Sequence, residues 1–99
     1  MNVFDKVYKI VSKIPRGKVT TYGKIAKEIG LRNPRIVGFA LHSNKTPDEI
    51  PCHRVVNIKG EVAPGYAFGG PDIQRKLLEA EGVRFEKGKV LSKFMILNL

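Results

Sequence analysis

Apolar residues recur at helical spacing in four stretches of the chain, each closed by a turn signal. The first set is Phe4, Val7, Ile10, Val11 and Ile14, at intervals of three and four, which predicts one apolar face of a helix. Asn2 stands before it as a cap, and Pro15 with Gly17 ends it. A second helix is expected over 22–29, with Ile25, Ala26 and Ile29 inward, Thr20 or Thr21 as its cap and Gly30 as its stop. Leu31 and Arg32 then make a short turn into Asn33-Pro34, a side-chain acceptor followed by a residue with preset φ, which is a strong helix start. The third helix, over 34–43, carries Ile36, Val37, Ala40 and Leu41. Two short helices joined by a turn read as a helix-turn-helix. Gly38 inside the later one leaves its backbone open to close approach.

From 44 to 70 the periodicity lapses. Pro47, Pro51, Pro64, Gly60, Gly65, Gly69 and Gly70 break the stretch, and Val55-Val56 is expected to begin a hairpin turning near Lys59-Gly60. A loop this long in a small domain points to function. A fourth helix is predicted over 71–81 with Ile73, Leu77 and Leu78 inward and Gly82 as the stop. The tail, Val83-Arg84-Phe85 and then 90–97 around Lys87-Gly88, reads as a small hairpin or a packed arm. A chain of 99 residues without repeats or linkers is expected to form one domain, 1–99.

Charge narrows the field. The net charge is +9, and Lys13, Arg16, Lys18, Lys24, Lys27, Arg32 and Arg35 against Glu28 alone make one stretch +6. Such a patch concentrates polyanions and suits phosphate contacts. No apolar run approaches the roughly 20 residues a bilayer requires, so no membrane partner is expected. Asp5 and Lys6 stand where a signal peptide would need its apolar core, which makes the cytoplasm the expected compartment. One cysteine forbids an internal disulfide, and Cys52 with His42 and His53 is too small a set for a structural zinc site, so no metal is expected.

The chemistry concentrates at Ile50-Pro51-Cys52-His53-Arg54-Val55. A thiol attacks only as thiolate; a neighbouring imidazole can take its proton, and a carboxylate can hold that imidazole in the right tautomer. Adjacent residues on a bent loop bring Cys52 and His53 into one network. The carboxylate must come from elsewhere, with Glu79 and Glu81 as candidates. Such a relay is expected to lower the thiol pKa below its unperturbed value of about 8.5.

The Pro-Cys-His-Arg-Val string resembles the active-site motif of the O6-alkylguanine-DNA alkyltransferases, the methylated-DNA–protein-cysteine methyltransferases. Upstream, Ile14-Pro15-x-Gly17-x-Val19-Thr20-Thr21-Tyr22-Gly23 resembles that family's entry into its DNA-binding motif, and Arg35-x-Val37-Gly38-x-Ala40-Leu41 its recognition helix. Asn44, Gly65-Tyr66, Gly69-Gly70 and Leu77-Leu78-x-x-Glu81-Gly82 follow in the family's order, so that the likeness runs over about residues 3–85. It implies a mainly α, small winged helix-turn-helix-like domain with a short β-hairpin and a loop-rich active site.

The resemblance also implies roles. Cys52 would accept the alkyl group, His53 would act through a water as its base, and Glu81 would orient His53. Tyr22 would press on the phosphate 3′ to the lesion and donate a proton to the departing guanine. Arg35 would fill the gap left by the flipped nucleotide, and Asn44 would brace the turn into the active-site loop. Thr21, Tyr22, Arg35, Gly38 and Asn44 make up the implied DNA-binding set. The carbonyls of Cys52 and Val55 would read the guanine edge, and Tyr66, Ala67 and Phe68 would line the pocket. The implied partner is double-stranded DNA containing O6-alkylguanine, bound through the minor groove by a monomer. No cofactor is needed, because sulfur attacks the alkyl carbon directly. The target must be flipped from the stack, at a few kcal/mol.

Three departures qualify the likeness. The family's larger N-terminal domain is expected to be absent. The string Gly65-Tyr66-Ala67-Phe68-Gly69-Gly70 stands one residue out of step with many members. The length and the stretch Glu81-Gly82-Val83-Arg84-Phe85 with Lys87-Gly88-Lys89-Val90 resemble the alkyltransferase-like proteins, which bind alkylated guanine without repairing it and hand it to excision-repair proteins. Those typically carry Trp or Ala where this chain has Cys52. Irreversible transfer to Cys52 is thus the first expectation, and lesion sensing the alternative.

Overall fold

A computed structural model describes residues 2–96, and each of its first three helices starts on a polar side chain. α1 (Val3–Val11) begins where Asn2 Oδ1 accepts the Asp5 N–H at 2.9 Å, satisfying a donor that every helix start leaves open. β1 (Thr20–Thr21) leads straight into α2 (Tyr22–Glu28), and Thr21 rather than Thr20 is the cap, its Oγ1 accepting the Lys24 N–H at 3.1 Å. α3 (Arg35–His42) follows Pro34, while Asn33 Oδ1 accepts the Arg35 N–H at 3.0 Å.

Helices this short are marginal alone and need tertiary packing. Val7, Val11 and Ile14 from the α1 segment meet Ile25 and Ala26 of α2 and Val37, Ala40 and Leu41 of α3 in one buried cluster. The Tyr8 hydroxyl donates to the Ala40 carbonyl at 2.6 Å and pins α1 to α3. Cys52, Val55 and Tyr66 belong to the same cluster, so the irregular region is fastened to the helix-turn-helix by its apolar residues.

Two expectations are corrected here. Val55-Val56 does not begin a hairpin. It forms β2 (Val55–Val56), which pairs in parallel with β1, Thr20 opposite Val55 and Thr21 opposite Val56. The chain does turn at Lys59-Gly60, but Asn57 Oδ1 takes the N–H groups of Lys59 and Glu61 at 2.9 Å each, so the turn is closed locally by a side chain. The second correction concerns α4 (Gly70–Ala80). Ile73 and Leu77 are 39% and 40% exposed, and the buried residues are Gln74 and Leu78. Gln74 turns inward because buried backbone groups need partners: its amide donates to the carbonyls of His53 (3.1 Å) and Val55 (2.9 Å) and accepts the Ala63 N–H (2.7 Å).

The tail is both hairpin and arm. β3 (Phe85–Glu86) and β4 (Lys89–Val90) pair antiparallel around Lys87-Gly88. Beyond them Ile96 N–H donates to Val19 O at 2.8 Å and Val19 N–H to Phe94 O at 2.9 Å, which lays the arm beside β1. Leu97, the far end of the expected tail, lies outside the described residues. Val19, Val56, Leu78, Val83 and Val90 form a second buried cluster under this hairpin. Among the described residues no helix is long and apolar enough to cross a membrane.

Candidate active site

Cys52 opens a single 3-10 turn, Cys52–Arg54, at the junction of the loop after α3 with β2, and is 4% exposed. The approach to it is braced by Asn44, itself buried, whose Nδ2 donates to Ile50 O at 2.9 Å and whose Oδ1 accepts the Thr46 N–H at 3.0 Å.

The carboxylate choice left open by the sequence falls to Glu81. Its Oε2 lies 2.7 Å from His53 Nε2, whereas Glu79 pairs with Arg75 on the exposed side of α4 at 3.5 Å. Glu81 stands at the end of α4 because Gly82, at φ +93°, turns the chain there and lets Val83 N–H reach back to Leu78 O at 3.0 Å. Gly17 supplies a further bond, its N–H donating to Glu81 Oε1 at 3.1 Å; at φ +84°, with the Glu81 carbonyl 3.1 Å from where a Cβ would sit, only glycine suits the position.

Arg54 was given no role in the sequence reading. Its Nε donates to both Glu81 oxygens (3.0 and 3.2 Å), Nη2 to Oε2 (2.8 Å), and Nη1 to the Ile14 carbonyl (2.8 Å). Its place in the Pro-Cys-His-Arg-Val string was the available signal, but the partner lies 27 residues away in sequence. Burial pushes the Glu81 carboxyl up; bonds from Arg54, His53 and the Gly17 amide outweigh it and hold the pKa at about 2. An ionised carboxylate only accepts, so the proton of this pair sits on His53 Nε2. Nδ1 is the ring nitrogen that Glu81 leaves free.

The expected depression of the thiol pKa is not what the structure gives. Burial raises Cys52 above the ordinary thiol value, and hydrogen bonds from Asn44 and Tyr66 oppose that rise without reversing it. Burial, with Cys52 nearby, likewise raises the hydroxyls of Tyr22 and Tyr66, which stay protonated at neutral pH.

Cys52 lies in a narrow cleft of about 50 Å³, lined also by Tyr22, Gly38, Leu41, His42, Ala63, Gly65, Tyr66 and Ala67. Of the three candidate pocket residues on the glycine-rich loop, Tyr66 and Ala67 face the cleft; Phe68 packs edge-on against Tyr66 at 5.9 Å. Val55 is fully buried beside the cleft and does not line it. Tyr22 and Gly38 also border a second opening with Pro34 and Arg35, which continues the cleft toward the start of α3. Thr21 is occupied in capping α2, and Asn44 works behind the cysteine. Beyond Arg54, sequence reasoning missed His42 and Gln74. His42 could have been found from its place one helical turn beyond Gly38; Gln74 gives no signal other than its spacing of four from Leu78.

The family described as "6-O-methylguanine DNA methyltransferase, DNA binding domain" matches residues 2–83. The methylated-DNA–protein-cysteine methyltransferase of Methanothermobacter thermautotrophicus is 44% identical over 81 residues, 82% of this chain and 44% of that protein. Alkyltransferase-like protein 1 of Schizosaccharomyces pombe is 40% identical over 81 residues, 81% of this chain and 75% of that protein. The crystal structure of S. pombe Atl1 with damaged DNA containing O6-carboxymethylguanine superposes with a TM-score of 0.84 at 33% identity, covering 97% of this chain and 98% of that one. The chain thus spans a little under half of the archaeal methyltransferase and most of the S. pombe protein.

Proposed function

The chain belongs to the 6-O-methylguanine DNA methyltransferase family, and from that premise we propose that it recognises O6-alkylguanine in duplex DNA and moves the alkyl group onto Cys52 Sγ. The observation that carries this reading is the cysteine at the cleft beside a His53–Glu81 pair held at 2.7 Å. His53 Nδ1, acting through a water, takes the thiol proton. Sulfur then attacks the alkyl carbon, and the carbon–O6 bond breaks with its electron pair going to guanine. The Tyr22 hydroxyl supplies guanine with a proton and is reprotonated in turn, so one proton passes overall from thiol to base. The thioether is stable to water, and each molecule acts once without a cofactor.

Other residues serve positioning. Arg35 fills the gap left by the flipped nucleotide, Thr21 and Tyr22 approach the backbone, and Asn44 keeps the Cys52 loop in place. The carbonyl of Cys52 meets the guanine edge, while Val55 O, buried off the cleft, accepts from Gln74. Tyr66 and Ala67 flank the base, and Phe68 supports Tyr66. Residues 1–99 carry these roles as one domain and one monomer.

The TM-score of 0.84 to S. pombe Atl1 favours a second reading, lesion sensing for excision-repair proteins without transfer. Intact mass separates the two. Incubation with duplex DNA containing O6-methylguanine is expected to add one methyl, mapped to Cys52. Unchanged mass together with a gel shift selects sensing.

Gly38 offers a test of the binding face itself. A Cβ there meets nothing within 4 Å, and Gly38 borders both the Cys52 cleft and the opening toward Arg35. Gly38→Ala should therefore raise thermal stability, by up to about 1 kcal/mol for glycine in a helix interior. Gly38→Leu, checked for folding by its melting temperature, should weaken binding to the lesion duplex at least roughly tenfold, the scale of one blocked close contact. Undiminished binding by the leucine variant would place the DNA elsewhere.

A further inference from the structure

Phe39 is 63% exposed on α3, four residues after Arg35 and so on the same helical face. A lone exposed aromatic is ordinary on a protein surface. This one stands in a built surface: with Arg35, Gly38, His42 and Ser43 it lines an open groove of about 520 Å³. That groove shares Gly38 and His42 with the Cys52 cleft, and neither is lined by Asp or Glu.

We infer that Phe39 is an apolar contact of the DNA interface, its ring buried against sugar and base edges beside the inserted Arg35. The inference rests on the reading above, because the occupant is duplex DNA. Charge selects that occupant. Arg35, the last residue of the most basic stretch in a chain of net charge +9, lines the groove, and a second copy would bring the same sign to the same face. An aromatic ring beside cations matches instead a ligand with anionic edges and apolar flanks. Apolar side chains set against base steps are a recurrent device of proteins that deform DNA.

The two kinds of contact differ in salt dependence. Phosphate contacts release counterions and set the salt slope; an apolar contact does not. Phe39→Ala is expected to weaken binding to an O6-methylguanine duplex roughly tenfold, within the range for an aromatic–base contact, with the slope unchanged. Phe39→Leu should recover part of the loss. The side chain is exposed, so melting temperatures should match the parent. Equal affinity of Phe39→Ala and parent across the salt series would overturn the inference and leave the proposed function standing. So would a Phe39→Ala variant whose only change is loss of self-association in sedimentation. Failure of the parent protein to bind duplex DNA at all would overturn both.

Discussion

Arg54→Met is expected to cost about 3–5 kcal/mol of folding stability, the range for breaking a buried ion pair by removing one partner. Glu81 is 6% exposed in its side chain and receives three of the four Arg54 hydrogen bonds. The fourth, to the Ile14 carbonyl, ties the segment after α1 to the active-site turn. Methionine fills much of the space and satisfies none of these acceptors, so it leaves a carboxylate held only by His53 and the Gly17 amide. Chemical denaturation at neutral pH checks the loss; an unchanged midpoint would mean that Arg54 is a surface residue in solution. The double variant Arg54→Met with Glu81→Gln should lose less than the sum of its singles, because the orphaned charge goes with its partner.

The same pair sets an acid limb. The Glu81 pKa is depressed from an ordinary 4.5 to about 2 in the folded protein, so its stabilising contribution is fully present above pH 4.5 and disappears as pH falls toward 2. At 1.36 kcal/mol per unit the contribution is about 3 kcal/mol. In the Arg54→Met protein the carboxyl should titrate higher, and the acid transition should begin at a higher pH than in the parent.

Cys52→Ser is expected to abolish alkyl transfer and to change affinity for the lesion duplex by no more than a few-fold. Serine is nearly isosteric, so the core contacts around a residue 4% exposed survive. A hydroxyl, however, is a far weaker nucleophile at neutral pH than a thiol with access to its thiolate. Affinity should persist because phosphate contacts dominate DNA binding. Retained transfer in the serine variant would remove the enzymatic reading altogether. The raised thiol pKa adds a pH test. Thiolate is scarce at neutral pH in the free protein, so reaction with a small soluble alkylating agent should accelerate as pH rises and continue to do so past the ordinary thiol value of about 8.5. A rate already level at neutral pH would show the thiol activated before DNA arrives.

How much of this was legible in the chain depends on the distance over which each interaction acts. Helix starts at Asn2, Thr21 and Asn33 are decided within three residues, and the sequence announces them. The helix-turn-helix, the tail hairpin around Lys87-Gly88 and the Cys52-His53 pair are local in the same sense. The likeness of ordered motifs added the family and the implied roles. The rotation of α4 was not legible. Apolar spacing put Ile73 and Leu77 inside, whereas three unpaired backbone groups of the loop required Gln74 there, and those groups exist only once the loop has folded. Val55-Val56 was misread for a similar reason: its partner is β1, and parallel pairing leaves no turn signature between the strands. The choice of Glu81 over Glu79 and the engagement of Arg54 depend on partners 27 or more residues away, and the upward shift of the Cys52 thiol depends on burial. Sequence by itself determined which groups were available and where the helices begin. Tertiary structure decided which of those groups lose water and which partner each then meets, and it is the removal of water that sets the strength of a buried charge or thiol.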